Sequence, residues 1–420
     1  MTHASLLRRS LLSAAILLSL STLPAYATNG LAPIGLGMEH RALGGAATGY
    51  AANTTSIASN PASTSFVADG YDAGLEIFQP KRTATFNGKA FGMPANVSYD
   101  GNGKQNFFIP EGGYKRSFSQ FDFGFAVYGN GGMNTSYKTN PGFGTGKAGV
   151  DYQQLFIAPT LSYKLNENNS IGASANLVYQ KFKAEGLQNF DNARFSANPG
   201  HVTNHGYDSS MGAGISIGWY GKLNETLSLG AAYRSKVKMG KMDQYSGLFA
   251  NGGEFDVPAA LSAGFAWRVA PNTLVVGDVQ RINYSDVAAI GNSSHVQAPF
   301  GGENGPGFGW KDVTAVKLGL KQQINPQMAL MVGYNQGTNP VKASDTTVNV
   351  LAPGVVKQHL SLGAEWKLTP KSKLIASYVH TFENEVKGNA TVPPPGPVPL
   401  DAYNIKMDQN AVGLAYSYQF

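Results

Sequence analysis

The stretch HLSLGAEWKL, residues 359–368, sets Leu360, Leu362, Ala364, Trp366 and Leu368 at one parity against Ser361, Gly363, Glu365 and Lys367 at the other. Successive side chains of an extended chain point to opposite sides, so this reads as a strand with one apolar and one polar or small face. The pattern recurs in LSLGAAYRSKVKMG (227–240), where Leu227, Leu229, Ala231, Tyr233 and Val237 oppose Ser228, Gly230, Ala232, Arg234, Lys236 and Lys238. It recurs again in PAALSAGFAWRV (258–269), with Leu261, Ala263, Phe265, Trp267 and Val269 opposed by Ser262, Gly264, Ala266 and Arg268.

A soluble antiparallel sandwich would alternate in the same way, its apolar face meeting a packed core. Connection lengths separate the two readings. Short turns rich in Asn, Pro, Ser and Thr (RSFSQF, LNENNS, KLNET, VAPNT, INPQM, LTPKS) alternate with long connections near 85–104, 135–148, 186–205, 241–256, 286–309, 337–354 and 387–405. Short periplasmic turns and long outer loops mark a bacterial outer-membrane barrel. Aromatic residues near segment ends (Tyr163, Trp219, Tyr233, Trp267, Trp366, Tyr416, Tyr418) suit its interfacial girdles.

The expected fold is therefore all-β, a 14-stranded antiparallel transmembrane β-barrel. Its strands are expected at 71–84, 105–117, 121–134, 149–165, 169–185, 205–223, 225–240, 257–270, 272–285, 310–323, 327–336, 355–369, 372–386 and 406–420. Each can cross a hydrocarbon layer that takes roughly 9–11 tilted residues, and closure leaves no backbone N–H unpaired in lipid.

Residues 1–27 read as a secretory signal: Arg8 and Arg9 supply a basic start, LLSAAILLSL an apolar stretch, and Ala25-Tyr26-Ala27 a cleavage site, with an uncleaved anchor as the alternative. Removing them lowers the formal charge from +6 to +4, since two arginines and no acid are lost. The remaining cations are scattered singly, which argues against nucleic acid as a partner. The chain has no cysteine, hence neither a disulfide nor a thiolate metal site. Gly at 51 of 420 residues and a charged fraction of 14% are a poor match to an ordinary helical enzyme. His359 and His380 stand beside no evident nucleophile motif, and His201 and His205 lack further ligands, so neither catalysis nor a cofactor or metal is expected.

Residues 28–70 do not alternate. SIASNPASTSF (56–66) and the Gly- and Ala-rich run before it suit a plug inside a tube of this strand count, a flexible periplasmic tail being the alternative. The expected organisation is a signal at 1–27, a hatch at 28–70 and a barrel at 71–420.

Here a resemblance becomes specific. The order of signal, Gly/Ala-rich segment, Asn60-Pro61-Ala62 and long barrel resembles the FadL/TodX family of outer-membrane transporters for long-chain fatty acids and other hydrophobic compounds. YGNGGMNTSY (128–137), QLFIAPTLSYKL (154–165), GLFANGGEFDVPA (247–259) and DVQRINYSDV (278–287) also look like sequence of close relatives. The likeness covers essentially the whole mature chain. It implies a 14-stranded barrel with its N-terminal hatch in the lumen, in the outer membrane of a Gram-negative bacterium. It further implies passive transport: capture in an outer groove, transfer to an interior site, and sideways exit at an inward kink of the third strand. That kink is expected in VYGNGGMN, at Gly129, Gly131 and Gly132, where no Cβ resists a bend.

A fatty acid presents an apolar chain and one carboxylate, which calls for apolar lining and a few placed cations. By parity the lumen receives Arg234, Lys236, Lys238, Arg268 and Lys317, of which Arg234 and Lys317 are the candidate ligand cations. Two outer connections carry apolar residues that suit a capture groove: Leu187, Phe190 and Phe195 in one, Leu248 and Phe249 in the other. Asn60, Pro61 and Ala62 are expected to anchor the hatch. Outer-membrane lipid and lipopolysaccharide would surround a monomeric barrel, and the terminal aromatic Phe420 resembles the signal read by the barrel assembly machinery. Uptake of aromatic or alkane hydrocarbons, or a general diffusion porin, are the competing functions.

Overall fold

The computed structural model describes residues 29–87, 96–389 and 401–420, so the signal assigned to 1–27 lies outside the described residues. Fourteen antiparallel strands form one closed barrel. In chain order they are β1 Gly70–Phe86, β2 Phe107–Ser117, β3 Asp122–Tyr137, β4 Ala148–Lys164, β5 Asn169–Glu185, β6 Asp208–Lys222 and β7 Leu227–Arg234. The circuit continues with β8 Ala260–Ala270, β9 Thr273–Ile282, β10 Val313–Asn325, β11 Met328–Gly337, β12 Gln358–Thr369, β13 Ser372–Val386 and β14 Tyr403–Gln419. Each strand pairs with the next, and β14 closes on β1 from Gly70↔Gln419 to Phe86↔Tyr403. Two short strands lie off the circuit: Val97–Asp100 on the outer end of β1, and Lys238–Met239 against β6. No helix among the described residues is long and apolar enough to cross a membrane.

The alternation resolves the two faces directly. In β12 Leu362 is 50% exposed while Ser361 is 0% exposed. The outward face carries Leu161, Ile217, Leu261, Leu318, Leu362 and Leu414, all exposed. The inward face carries buried Asp72, Glu76, Glu111, Asp278, Lys317 and Glu365. A soluble fold would bury the first set, whereas lipid solvates it. At the short-turn end Tyr71, Tyr114, Tyr418 and Phe420 form an aromatic belt, with Tyr71 5.7 Å from Tyr418 and Tyr114 6.0 Å from Phe420 between ring centroids.

Strand ends differ from the sequence expectation in places. β7 stops at Arg234 rather than 240, because the chain swings out to bridge Val237 to Val257 and to set Met239 opposite Gly212. Lys236 and Lys238 therefore lie beyond the strand: Lys236 pairs with Asp256 at 3.2 Å, and the side chain of Lys238 is 80% exposed. Arg268 is exposed near the turn after β8, reaching the Pro271 carbonyl. β14 begins at Tyr403, three residues before the expected 406.

The segment Asn29–Asp69 sits inside the barrel, and its local structure is one short α-helix, Met38–Ala42, and two 3-10 turns, Thr54–Ala58 and Pro61–Phe66. Nearly all of it is buried, although it has few large apolar side chains. What holds it is polar contact with inward wall residues. The wall makes room where it lacks side chains: a Cβ on Gly218 would overlap Asn60, and one on Gly230 would overlap the Thr48 carbonyl.

Candidate transport path

The hatch is docked by three groups of bonds. In the first, Glu39 accepts from Lys321 at 2.7 Å and Lys373 at 3.0 Å, and Glu365 accepts from the same lysines at 2.8 and 2.9 Å. The result is a closed square of two anions and two cations. Burial alone would raise the Glu39 carboxyl, but Lys321 and Lys373 outweigh it and hold Glu39 well below the usual carboxylate range. The Tyr50 hydroxyl donates to Glu39 at 2.8 Å, and burial together with that anion pushes its pKa up. In the second group, Arg41 meets Glu111 at 2.9 Å and Glu76 at 3.3 Å. In the third, wall carboxylates take hatch backbone donors: Asp278 from Ala47 N at 2.8 Å and Thr48 N at 2.9 Å, and Asp72 from Thr54 N at 2.8 Å.

Asn60 starts the turn Pro61–Phe66 as its cap, accepting from Ala62 N at 3.0 Å while Pro61 supplies the fixed φ of the first turn position. Its amide donates to the carbonyls of Thr48 and Trp219, both at 2.9 Å. The Ala62 carbonyl accepts from Ser170 at 2.8 Å and Ser162 at 3.2 Å. The triplet thus ties the hatch to itself and to β4, β5 and β6.

The third strand is irregular where its glycines cluster. β2 and β3 pair from Ser117↔Asp122 to Glu111↔Tyr128 and no further. Beyond that point β2 pairs only with β1, out to Phe107, and β3 keeps β4 as its one partner among the fourteen strands. On the β4 side the register slips between Gly129 and Gly131, which makes Asn130 the extra residue of a bulge. Pro110, which has no N–H to offer a neighbour, falls where the β2–β3 ladder ends. The alternation of exposure ends there too: Gly129–Thr135 are buried on both faces. The outer half of β3 finds other partners, with Ser136 N donating to Gly101 O at 2.9 Å and Gly132 N to Leu31 O at 3.3 Å. Arg82, fully buried on β1, donates to Asn134 O at 2.9 Å. The β2–β3 wall therefore lacks its ladder at this level.

Behind this gap lie small cavities. The largest polar one, about 60 Å³, is bounded by hatch residues Ala32–Leu36 and Thr48 and by Asn130, Arg234, Asp278, Gln280 and Lys317 of the wall. A second, about 10 Å³, lies between Leu31, Ala32, Asn130, Gly131, Arg234 and Tyr284. A third, apolar and also about 10 Å³, touches Leu31, Phe78, Met133 and Trp310. Leu31 lines two of the three and Ala32 two, so these hatch residues separate the compartments. The Tyr284 hydroxyl holds them in place by accepting from Leu31 N at 2.8 Å and Ala32 N at 3.0 Å and donating to Asn29 O at 2.7 Å.

Arg234 and Lys317 both line the 60 Å³ cavity. Lys317 is 4% exposed and donates to Gln280 at 3.0 Å. Arg234 stacks on Phe156 at 5.4 Å, donates from Nη1 to Asn130 at 2.6 Å, and has no partner at Nε. Among the described residues neither cation has a carboxylate within ion-pair distance. Asp278, opposite Lys317 in the β9–β10 ladder, directs its oxygens to the hatch.

The outer-loop candidates divide. Leu187 and Phe249 are 2% and 4% exposed, inside an apolar cluster with Phe182, Tyr245 and Phe255. Phe190 and Leu248 are half-buried against that cluster, and Phe195 packs on Phe190 at 6.0 Å. The two loops are pinned together by Ser196 to Gly247 O at 2.9 Å and Gly247 N to His201 O at 3.0 Å. Sequence reasoning named the glycines of the third strand but not Asn130 between them, and it missed the docking charges Glu39, Lys321, Glu365 and Lys373. For Lys321, Glu365 and Lys373 the signal was a charge at inward parity on a membrane strand, which lipid-facing positions do not carry; Glu39, in the hatch helix, had no such signal.

A closed barrel with a lipid-compatible exterior and an N-terminal segment docked in its lumen defines an outer-membrane transport channel. The sequence profile of outer membrane protein transport proteins (OMPP1/FadL/TodX) matches residues 25–420, and the chain belongs to that family, which carries hydrophobic compounds across the outer membrane. In fold it is similar to the Pseudomonas putida toluene transporter TodX, with a TM-score of 0.67 at 17% identity, over 92% of this chain and 99% of that one. It is likewise similar to a Pseudomonas aeruginosa FadL homologue, at 0.68 and 17% over 93% and 100% of the two chains. The Ralstonia pickettii toluene transporter TbuX gives 0.64 and 15% over 92% and 99%. No curated protein sequence matches the chain.

Proposed function

We propose that this barrel passes long-chain fatty acids inward, holding the carboxylate at Arg234 and Lys317 and releasing the molecule sideways between β2 and β3. The observation that carries the reading is the pair of cations on one cavity wall without a carboxylate partner among the described residues. A buried cation is costly unless something compensates it, and a ligand carboxylate would do so. The missing β2–β3 ladder supports the exit, since a membrane wall without backbone pairing needs another occupant for that gap. The path is shut in this conformation: about 60 Å³ holds a few waters and no acyl chain, so Leu31 and Ala32 have to yield during passage. The docked hatch supports a gated carrier of hydrophobic molecules over a general diffusion porin.

Uptake of labelled oleate and of labelled hexadecane by cells carrying the wild type, Arg234→Ala or Lys317→Ala tests the assignment. Charge-assisted bonds contribute about 1.5–3 kcal/mol, so either variant should lower oleate uptake about tenfold or more and leave the alkane unchanged. Equal handling of both ligands by all three proteins would refute it. A second reading, uptake of neutral aromatic hydrocarbons, is favoured by the ring-lined outer cluster of Phe143, Phe190, Phe195 and Phe300, and predicts that equality.

A further inference from the structure

We infer that Asn130 is a specificity-determining positioning residue that presents Arg234 to the ligand's carboxylate, so that headgroup recognition and the lateral opening are built on one side chain. The inference rests on the carboxylate reading above and assigns it a residue outside the cation pair.

Asn130 is the extra residue of the β3 bulge, and it keeps the inward parity of Asp122, Gly124, Ala126 and Tyr128, so that its side chain lines the interior cavity. There it bridges two walls. Its Oδ1 accepts from Arg234 Nη1 on β7 at 2.6 Å, and its Nδ2 donates to Gln154 Oε1 on β4 at 3.1 Å. Only an amide offers an acceptor and a donor in that arrangement. The amide cannot turn over, because its orientation is fixed from behind: Gln154 Nε2 donates to Tyr152 Oη at 2.6 Å, Tyr152 donates to Gln180 Oε1 at 2.8 Å, and Gln180 Nε2 donates to Phe255 O at 2.8 Å. Such a chain of bonds fixes each member's direction.

The consequence falls on the guanidinium. One face of it lies on Phe156 and one terminal nitrogen is taken by Asn130, while Nε remains without a partner. A carboxylate binds a guanidinium best along an edge, through two parallel N–H bonds. Asn130 thus holds Nη1 and leaves the Nε edge as the receptor, and a site whose charged group is positioned beforehand binds more tightly than one that must be ordered on arrival. An acidic ligand held at this edge lies against the bulge beside the gap in the β2–β3 ladder.

The test uses the full chain in detergent or nanodiscs, with binding of palmitate and of the uncharged alcohol of the same chain length measured side by side. Asn130→Asp keeps the shape but adds a charge at hydrogen-bond distance from Arg234, forming an internal ion pair; palmitate affinity should fall about tenfold or more with alcohol affinity unchanged. Asn130→Ala removes the orienting bond without adding charge and should lower palmitate affinity by a smaller factor, about threefold, again with the alcohol unchanged. Arg234→Gln is the control for the underlying reading. If Arg234→Gln abolishes the acid preference while both Asn130 variants keep it, the inference is overturned and the carboxylate reading stands. If Arg234→Gln keeps the preference, both fail. If the Asn130 variants lose acid and alcohol together, Asn130 serves only to shape the bulge, and the inference is again overturned.

Discussion

Replacing Glu39 by Gln perturbs the hatch at its most buried charge. Glu39 is fully buried and bonded to both Lys321 and Lys373, whose side chains are 13% and 16% exposed, and the fourth corner, Glu365, is bonded to the same two lysines. Removing one anion leaves two cations facing one, inside a wall that cannot move. Breaking a buried pair costs about 3–5 kcal/mol, and the partial exposure of the lysines favours the lower end, roughly a hundredfold in the equilibrium between docked and released hatch. The ladders around the barrel do not pass through Glu39, so the loss should appear as local release and not as unfolding. Amide hydrogen exchange over residues 38–50 should quicken by about that factor while the strands stay protected. Single channels in planar bilayers should show more frequent brief openings. Glu39→Gln combined with Lys373→Gln restores neutrality and should recover part of the protection, a coupling that the two single variants would not predict by addition. Unchanged exchange over 38–50 in Glu39→Gln would refute the idea that this square docks the hatch.

The same group fixes the pH dependence. A carboxyl held below its unfolded value contributes stability that is complete above the unfolded pKa and is lost as pH falls through the lowered folded value. Because Glu39 is held well below the usual range, hatch protection should be flat from about pH 8 to about pH 5 and fail only in stronger acid.

Three further outcomes follow from named contacts. Tyr284→Phe removes the hydroxyl that holds Asn29, Leu31 and Ala32; at about 0.5–1.5 kcal/mol for each of three bonds, the start of the hatch should exchange its amides at least tenfold faster while residues 54–66 do not change. Deleting Asn130 restores equal spacing between β3 and β4 and should let β3 pair with β2, so that uptake of oleate and hexadecane falls together, whereas a lateral gap unrelated to transport predicts normal uptake of both. Leu362→Lys puts a charge on the lipid face and should cost about 2–4 kcal/mol at mid-membrane in reversible unfolding from lipid, with little effect if position 362 faced water.

The barrel was legible because its signal is carried one residue at a time: whether Leu362 or Ser361 faces lipid follows from parity alone, with no knowledge of the neighbouring strand. Arg234 and Lys317 were legible for the same reason, as charges at inward parity. The hatch was readable only as an irregular segment. Its conformation is imposed by partners far along the chain, such as Asp278 for Thr48 and Trp219 for Asn60, and not by local propensity. The early end of β7 was hidden because Lys236 and Lys238 continue the alternation of the strand they no longer belong to.

Asn130 was harder still, since a bulged residue is defined by a mismatch of count between two strands and not by its own type. GNGG can end a strand, bend it or insert into it, and only the pairing of Gly129 with Leu155 and of Gly131 with Gln154 tells which. That dependence has a mechanical side. A residue placed by register can be moved by register, so a change that lets β3 slide by one position against β4 should withdraw Asn130 from Arg234 and let β3 pair with β2 in the same step. On the proposed reading, specificity for an acid and access to the membrane should then be lost together, which no pair of independently placed residues would require.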